Sequence, residues 1–307
     1  MRAPLSHGLA ALMLSATLAG GAVEARPKIY PAEKAGALAT RCSARYGEPL
    51  YAPAIPPGGN PAKVITGNFR ASPTYGFPEN VKIGADEADG AAYLSIAYPK
   101  GSVAPSVKSR PTGGLGFYAR GALARGTDAA CLRYLVRFPE GFDFRSGGKL
   151  PGLFGGTNPP SGGDRPKGDA GFTVRLMWRA GGAGELYLYA PNMIPDSAHG
   201  GMQLGTGAFS FPRGRWVEVE LETILNAPGE SDGLIHLWID GRPAIFVNGV
   251  KFRKSSRVPV AGLMFSTFFG GDTARFAASK AEHADFRAFR LYGTRRESLP
   301  GGAGAKP

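Results

Sequence analysis

The chain is poor in the residues that build metal centres. It holds two cysteines and four histidines in 307 residues, with no His-x-His pair and no carboxylate cluster at metal-ligand spacing. Neither a catalytic metal nor any other cofactor is expected. A Gly-x-Ser-x-Gly elbow is missing, as is a Gly-x4-Gly-Lys-Ser/Thr loop, so neither serine-hydrolase nor nucleotide chemistry is signalled. Helical periodicity is scarce. Apolar runs are short as well, and the longest, from Leu9 to Ala22, falls below the roughly 20 residues that a membrane span needs. Acidic residues are outnumbered, 24 against 36 Lys and Arg, for a net charge of +12.

That apolar run follows Met1, Arg2 and His7 and ends in Val23-Glu24-Ala25, the pattern of an export signal covering residues 1–25. Removing it takes away Arg2 and Glu24, one charge of each sign, so the mature chain keeps its basic balance. The protein is expected to be secreted or periplasmic, monomeric, and without a membrane span after cleavage. A basic chain favours polyanions. Export makes nucleic acid the least natural of these and an anionic polysaccharide the most natural. In an oxidising compartment the isolated pair Cys42 and Cys131 is expected to form a disulfide, tying the N-terminal segment to the first long strand region.

Forty-six glycines and 26 prolines punctuate the chain, and short β-rich runs recur between them. Ala92–Tyr98, Cys131–Phe138, Gly171–Arg179, Glu185–Ala190, Trp216–Leu221, Leu234–Asp240, Val258–Phe269 and Phe286–Tyr292 read as strands, with a hairpin turn at Asp240-Gly241. Short helical pieces are expected within Ala32–Tyr46 and Thr273–Ala284. The pattern predicts an all-β fold, an antiparallel sandwich of jelly-roll type. One domain is expected over residues 26–296, with an irregular arm from Arg26 to about Pro61 and a flexible tail over 297–307.

The chemistry is carried by polar residues set among apolar strand neighbours. Thr173 and Arg175 lie two apart and share a face, as do Tyr187 and Tyr189 on the next strand, each pair separated by on the order of 6.6 Å. The glycine-rich link Ala180–Gly184 predicts that these strands pair, which would bring the four together. Upstream, Lys149 sits in the glycine-lined run Gly147–Gly156, where a polymer can approach the backbone closely. Such residues suit β-elimination from a uronic acid. The reaction needs a cation to neutralise the C6 carboxylate, a base to take the C5 proton, and an acid to protonate the departing O4. Arginine fits the first task and tyrosine or a desolvated lysine the others.

Gly-Gly-Lys-Leu-Pro-Gly-Leu, Phe-Thr-Val-Arg-Leu-Met-Trp, Glu-Leu-Tyr-Leu-Tyr and Phe265–Gly271 together resemble polysaccharide lyase family 14, over about Ala129–Tyr292. The resemblance implies a jelly roll, alginate or glucuronan lyase activity, and a cleft with a lysine, a Ser/Arg pair and a Tyr-x-Tyr pair. These fall on Lys149, Thr173 with Arg175, and Tyr187 with Tyr189. Threonine stands where serine is more usual and keeps the hydroxyl. The division of base and acid roles among Lys149, Tyr187 and Tyr189 stays open. His199, in the loop after the tyrosine strand, is expected to line the cleft, and His236 to be structural. Asp240 and Asp285 offer carboxylates for a structural calcium that nothing in the sequence demands. Two other readings stand beside the lyase. One is a non-catalytic, lectin-like sandwich. The other is a glycoside hydrolase drawing a carboxylate pair from Glu218, Glu220 and Glu222, which read more simply as a solvated sheet face.

Overall fold

The computed structural model describes residues 26–30, 39–123, 126–166, 169–194 and 200–299. The expected export signal and His199 lie outside these residues. Among those described, the strands are β1 (Lys28–Tyr30), β2 (Ser72–Tyr75), β3 (Val81–Ala85), β4 (Ala92–Tyr98), β5 (Leu115–Arg120), β6 (Ala129–Arg137) and β7 (Gly148–Gly155). They continue as β8 (Phe172–Trp178), β9 (Ala183–Tyr189), β10 (Met202–Ser210), β11 (Trp216–Ile224), β12 (Gly233–Ile239), β13 (Arg242–Val250), β14 (Val260–Phe269) and β15 (Glu282–Thr294). None of the described helices is long and apolar enough to cross a membrane.

The strands form two antiparallel sheets. The eight-stranded sheet runs β1-β13-β12-β11-β6-β15-β4-β3 and the seven-stranded sheet β10-β9-β8-β7-β14-β5-β2. This is the sandwich that the strand pattern predicts. Alternation explains why the sheets stack. Phe172, Val174, Leu176 and Trp178 of β8 and Leu186 and Leu188 of β9 point inward. They share one buried cluster with Leu132, Tyr134 and Val136 of β6 and Val217, Val219 and Leu221 of β11. The β12–β13 turn is the predicted one, with Asp240 and Gly241 both at positive φ, 49° and 74°, as a two-residue hairpin of primed type requires.

Thr273–Ala284 holds turns (Phe276 N to Thr273 O, 3.0 Å) and passes into β15 at Glu282. Leu299 is buried against Ala129, Ile224, Leu234 and Phe246.

One correction concerns Glu218, Glu220 and Glu222. They do not form a solvated face. They lie on the outer side of the eight-stranded sheet, and the N-terminal arm covers them. Glu220 bonds Arg41 Nε (2.8 Å) and Ser43 Oγ (2.9 Å), and Glu218 bonds Arg41 and Arg133. Glu222 accepts from Tyr46 Oη (2.8 Å) and Arg45 (2.5 Å) and pairs with His236 Nδ1 (2.9 Å). The short helix α1 (Cys42–Arg45) supplies several of these partners, and the Cys42–Cys131 disulfide fastens α1 to β6 across 89 residues of sequence. Alternation puts three carboxylates on one face, but it cannot show that a distant arm supplies the cations that bury them.

Burial pushes the Glu222 carboxyl up in pKa, but the bond to His236, with Arg45 and Tyr46, outweighs it and holds the group below its ordinary value. A carboxylate depressed on folding stabilises above its unfolded pKa of about 4.3, and loses that contribution as pH falls through the folded value. Glu222→Ala should therefore destabilise by about 3–5 kcal/mol at neutral pH, the scale for breaking a buried pair. It should also flatten the loss of stability toward acid. Urea melts at two pH values check this, and a change below about 1 kcal/mol, the scale of exposed pairs, would contradict it.

Candidate active site

The site is built on the outward face of the seven-stranded sheet, where β7, β8 and β9 adjoin. Antiparallel register sets the residues in rows. Gly152, Arg175 and Tyr187 are mutual neighbours across the three strands, as are Phe154, Thr173 and Tyr189. A third row holds Lys149, Met177 and Glu185. The structure thus brings Lys149, Arg175, Tyr187 and Tyr189 together.

Lys149 reaches this face because β7 is not regular. Strict alternation would put Lys149, Pro151 and Leu153 on one side, yet Leu153 is core. The ladder shifts between Leu150 and Gly152, around Pro151, which has no N–H to give a central strand. The shift returns Lys149 and Gly152 to the cleft face and leaves Leu150 and Leu153 inside. Gly152 is required there, since a Cβ would stand 2.0 Å from Val174 O.

The side chains are packed and largely dry. Lys149 Nζ lies 3.4 Å from the centre of the Tyr187 ring and contacts Met177 Sδ. The Arg175 guanidinium carbon is 5.8 Å and 5.9 Å from the Tyr187 and Tyr189 rings. Arg175 is 1% exposed. Its bonds to Ser266 Oγ (3.4 Å) and Ser161 Oγ (3.5 Å) are long, and its Nε has no partner. A buried guanidinium so weakly satisfied is poised for an incoming carboxylate.

Two loops close over the tyrosines. Tyr187 Oη accepts from Gly201 N (2.7 Å) and Tyr189 Oη from Gly163 N (3.1 Å). Thr173 is fully buried and donates to Pro160 O (3.1 Å), so it anchors the loop after β7.

Electrostatics set the two groups apart. Burial, then Arg175 and Arg179, push the Lys149 ammonium well below its ordinary pKa, and Glu185 offsets only part of this. Burial, then the neighbouring Tyr187, push the Tyr189 phenol up, against smaller opposing effects from the Gly163 N–H and Arg175. The lysine is shifted toward its neutral amine and the tyrosine toward its neutral phenol.

Sequence reasoning missed several neighbours. Met177 shares the outward face of β8 with Thr173 and Arg175 and reads as an ordinary apolar residue. Ser266 is the polar position among the aromatics of β14, a detectable signal. Tyr75, whose hydroxyl lies 3.1 Å from Ser266 Oγ, sits on a short edge strand with no pattern to mark it. Glu185 is buried and bonds Arg179 (2.6 Å) and Thr206 Oγ1 (2.6 Å).

Other candidates find structural partners. Asp240 is engaged by Arg215 and the Glu218 N–H, and Asp285 through Oδ2 by Arg137. Among the described residues the one convergence of three metal-type donors is Cys42, Cys131 and Glu220, whose sulfurs are joined to each other. It does not fit a metal.

A two-sheet jelly roll with a buried lysine, an arginine and a tyrosine pair on one face is the class of scaffold that polysaccharide-cleaving proteins use. The profile of the family described as Polysaccharide lyase 14 matches residues 86–289, and this chain belongs to that family. The crystal structure of the marine PL-14 alginate lyase from Aplysia kurodai is similar over 81% of this chain and 100% of its own, at 31% identity and TM-score 0.70. Alginate lyase vAL-1 from Chlorella virus shares the fold over 70% of this chain and 90% of its own, at 24% identity and TM-score 0.59. Exolysin of Paramecium bursaria Chlorella virus 1 is 26% identical over 176 residues, 48% of this chain. The chain spans only 27% of that relative's length.

The ion pairs of Glu218 lie on the opposite sheet from this site. Glu218→Gln should therefore leave turnover within about twofold of wild type, whereas Lys149→Met should lose at least roughly 100-fold, the scale of a general base. Because Lys149→Met removes a desolvated amine, its melting temperature should match or exceed that of wild type. Lost activity with a collapsed melt would mean that Lys149 serves folding instead.

Proposed function

We propose that this protein is a polysaccharide lyase that cleaves a uronate-containing polymer by β-elimination, with Lys149 as base and the tyrosine pair as acid. The observation that carries the reading is the dry lysine with lowered pKa, set between Arg175 and Tyr187 on the cleft face. Arg175 takes the C6 carboxylate and makes the C5 proton more acidic. Neutral Lys149 removes that proton. The electron pair left on C5 forms the C4–C5 double bond, the C4–O4 bond breaks, and O4 takes a proton from a tyrosine. The phenol oxygens of Tyr187 and Tyr189 accept backbone N–H groups and the two hydroxyls bond each other, so the proton for O4 is drawn from the pair. No water is added, so the products are a new chain end and an unsaturated uronate.

Alginate is the substrate named for the Aplysia kurodai relative and is the first polymer to test, with polyglucuronate second. The protein is proposed to act outside the cytoplasm as a monomer after loss of residues 1–25, with the Cys42–Cys131 bridge in place. Thr173 is proposed to hold the loop that bonds Tyr189, with His199 near the same cleft. A lectin-like role has less support, since a binding surface does not need a desolvated lysine.

Incubation with alginate, polyglucuronate and hyaluronan should raise ultraviolet absorbance on at least one, and silence on all three would overturn the reading. Arg175→Ala and Tyr189→Phe should each lower turnover by at least roughly 100-fold. The base must be uncharged, so activity should fall as pH drops through the Lys149 pKa, and that limb should lie well below the ordinary lysine value of about 10.4. A limb at that ordinary value would argue against Lys149 as base.

A further inference from the structure

The cleft face does not end at β14. Along β5, Leu115, Phe117 and Ala119 point into the core, so Tyr118 and Arg120 share the cleft face with Arg175. Tyr118 lies in register with Met264, Gly152 and Arg175, and Arg120 with Gly262, Phe154 and Thr173. Gly262 has no side chain, and Arg120 leans across it. Its guanidinium carbon sits 5.1 Å from the Tyr118 ring centre and 5.0 Å from that of Phe154, with the two rings edge to face at 5.0 Å.

Arg120 is exposed, and among the described residues no carboxylate pairs with it. Its hydrogen bonds are long ones, to Gly156 O (3.4 Å) and Thr157 O (3.3 Å). Tyr118 stands within electrostatic reach of both Arg120 and Arg175, so polar groups continue from the catalytic arginine outward. Three strand spacings and two residues of rise separate the backbones of Arg175 and Arg120, on the order of 15 Å. The Arg120 guanidinium leans back over Phe154 and that of Arg175 reaches Ser266, so the two heads lie closer than their backbones, on one face of the sheet.

We propose that Arg120, backed by the rings of Tyr118 and Phe154, is a carboxylate subsite for a second uronate of the bound polymer, on the β5 side of the cleft. The proposal rests on the lyase reading above and deepens it. An arginine held against two rings is partly ordered, so less side-chain freedom is lost when its fork takes a carboxylate. The subsite would make the protein select chains charged at several sugars over neutral or sparsely charged ones. Arg120 touches no reacting atom, so its contribution belongs in KM.

The test is steady-state kinetics of wild type, Arg120→Gln and Arg120→Lys on alginate and on alginate oligosaccharides of graded length. Arg120→Gln should raise KM for the polymer by about tenfold, the scale of one charge-assisted contact. Its kcat should stay within about twofold, and Arg120→Lys should recover part of the loss. The ratio of wild type to variant should approach one as the oligosaccharide shortens. An unchanged KM, or a loss in kcat alone, overturns the subsite while an active wild type keeps the lyase reading. If wild type cleaves no polyuronate, the lyase reading falls. Calorimetric titration of an alginate hexasaccharide into wild type and Arg120→Gln then decides the subsite, with equal affinities overturning it.

Discussion

The site depends on holding Lys149 and Arg175 together in a place with little water. Two cations side by side repel, and burial removes the solvent that would screen them. The guanidinium cannot give up its proton, so the lysine pKa is the one that falls. The rest of the face maintains this arrangement. The ladder shift at Pro151 turns Lys149 outward, Gly152 lets the strands close beneath it, and the N–H groups of Gly201 and Gly163 hold Tyr187 and Tyr189.

The two outer faces of the sandwich handle charge in opposite ways. Behind the eight-stranded sheet, Glu218, Glu220 and Glu222 are matched by Arg41, Arg45, Arg133 and His236. On the cleft face the cations outnumber their acids. Glu185 is paired with Arg179, while Lys149, Arg175 and Arg120 have no carboxylate against them among the described residues. Three of the chain's unpaired cations therefore lie on the face proposed for the polyanion.

The sandwich was legible because its strands alternate cleanly, as the inward set of Phe172, Val174, Leu176 and Trp178 shows. Arg175, Tyr187 and Tyr189 were legible for the same reason, each being an outward residue between inward ones. Lys149 was less so. Its orientation depends on a ladder irregularity that a two-residue period cannot represent, and it was found through its glycine-lined setting and through resemblance. The burial of Glu220 and Glu222 was not legible, since it depends on partners about 180 positions away in sequence. Tyr75, Tyr118 and Arg120 join the cleft only through the order β7-β14-β5-β2, which strand patterning does not disclose.

The central claim is that the folded protein holds the Lys149 pKa well below its ordinary value. An NMR titration of the intact protein labelled with 13C at lysine Cε, with the Lys149 signal assigned by its loss in Lys149→Met, measures this directly. The account predicts a titration well below the ordinary lysine value of about 10.4, moving upward when Arg175 is replaced by alanine. A Lys149 signal that titrates with the exposed lysines, and ignores the loss of Arg175, would contradict it.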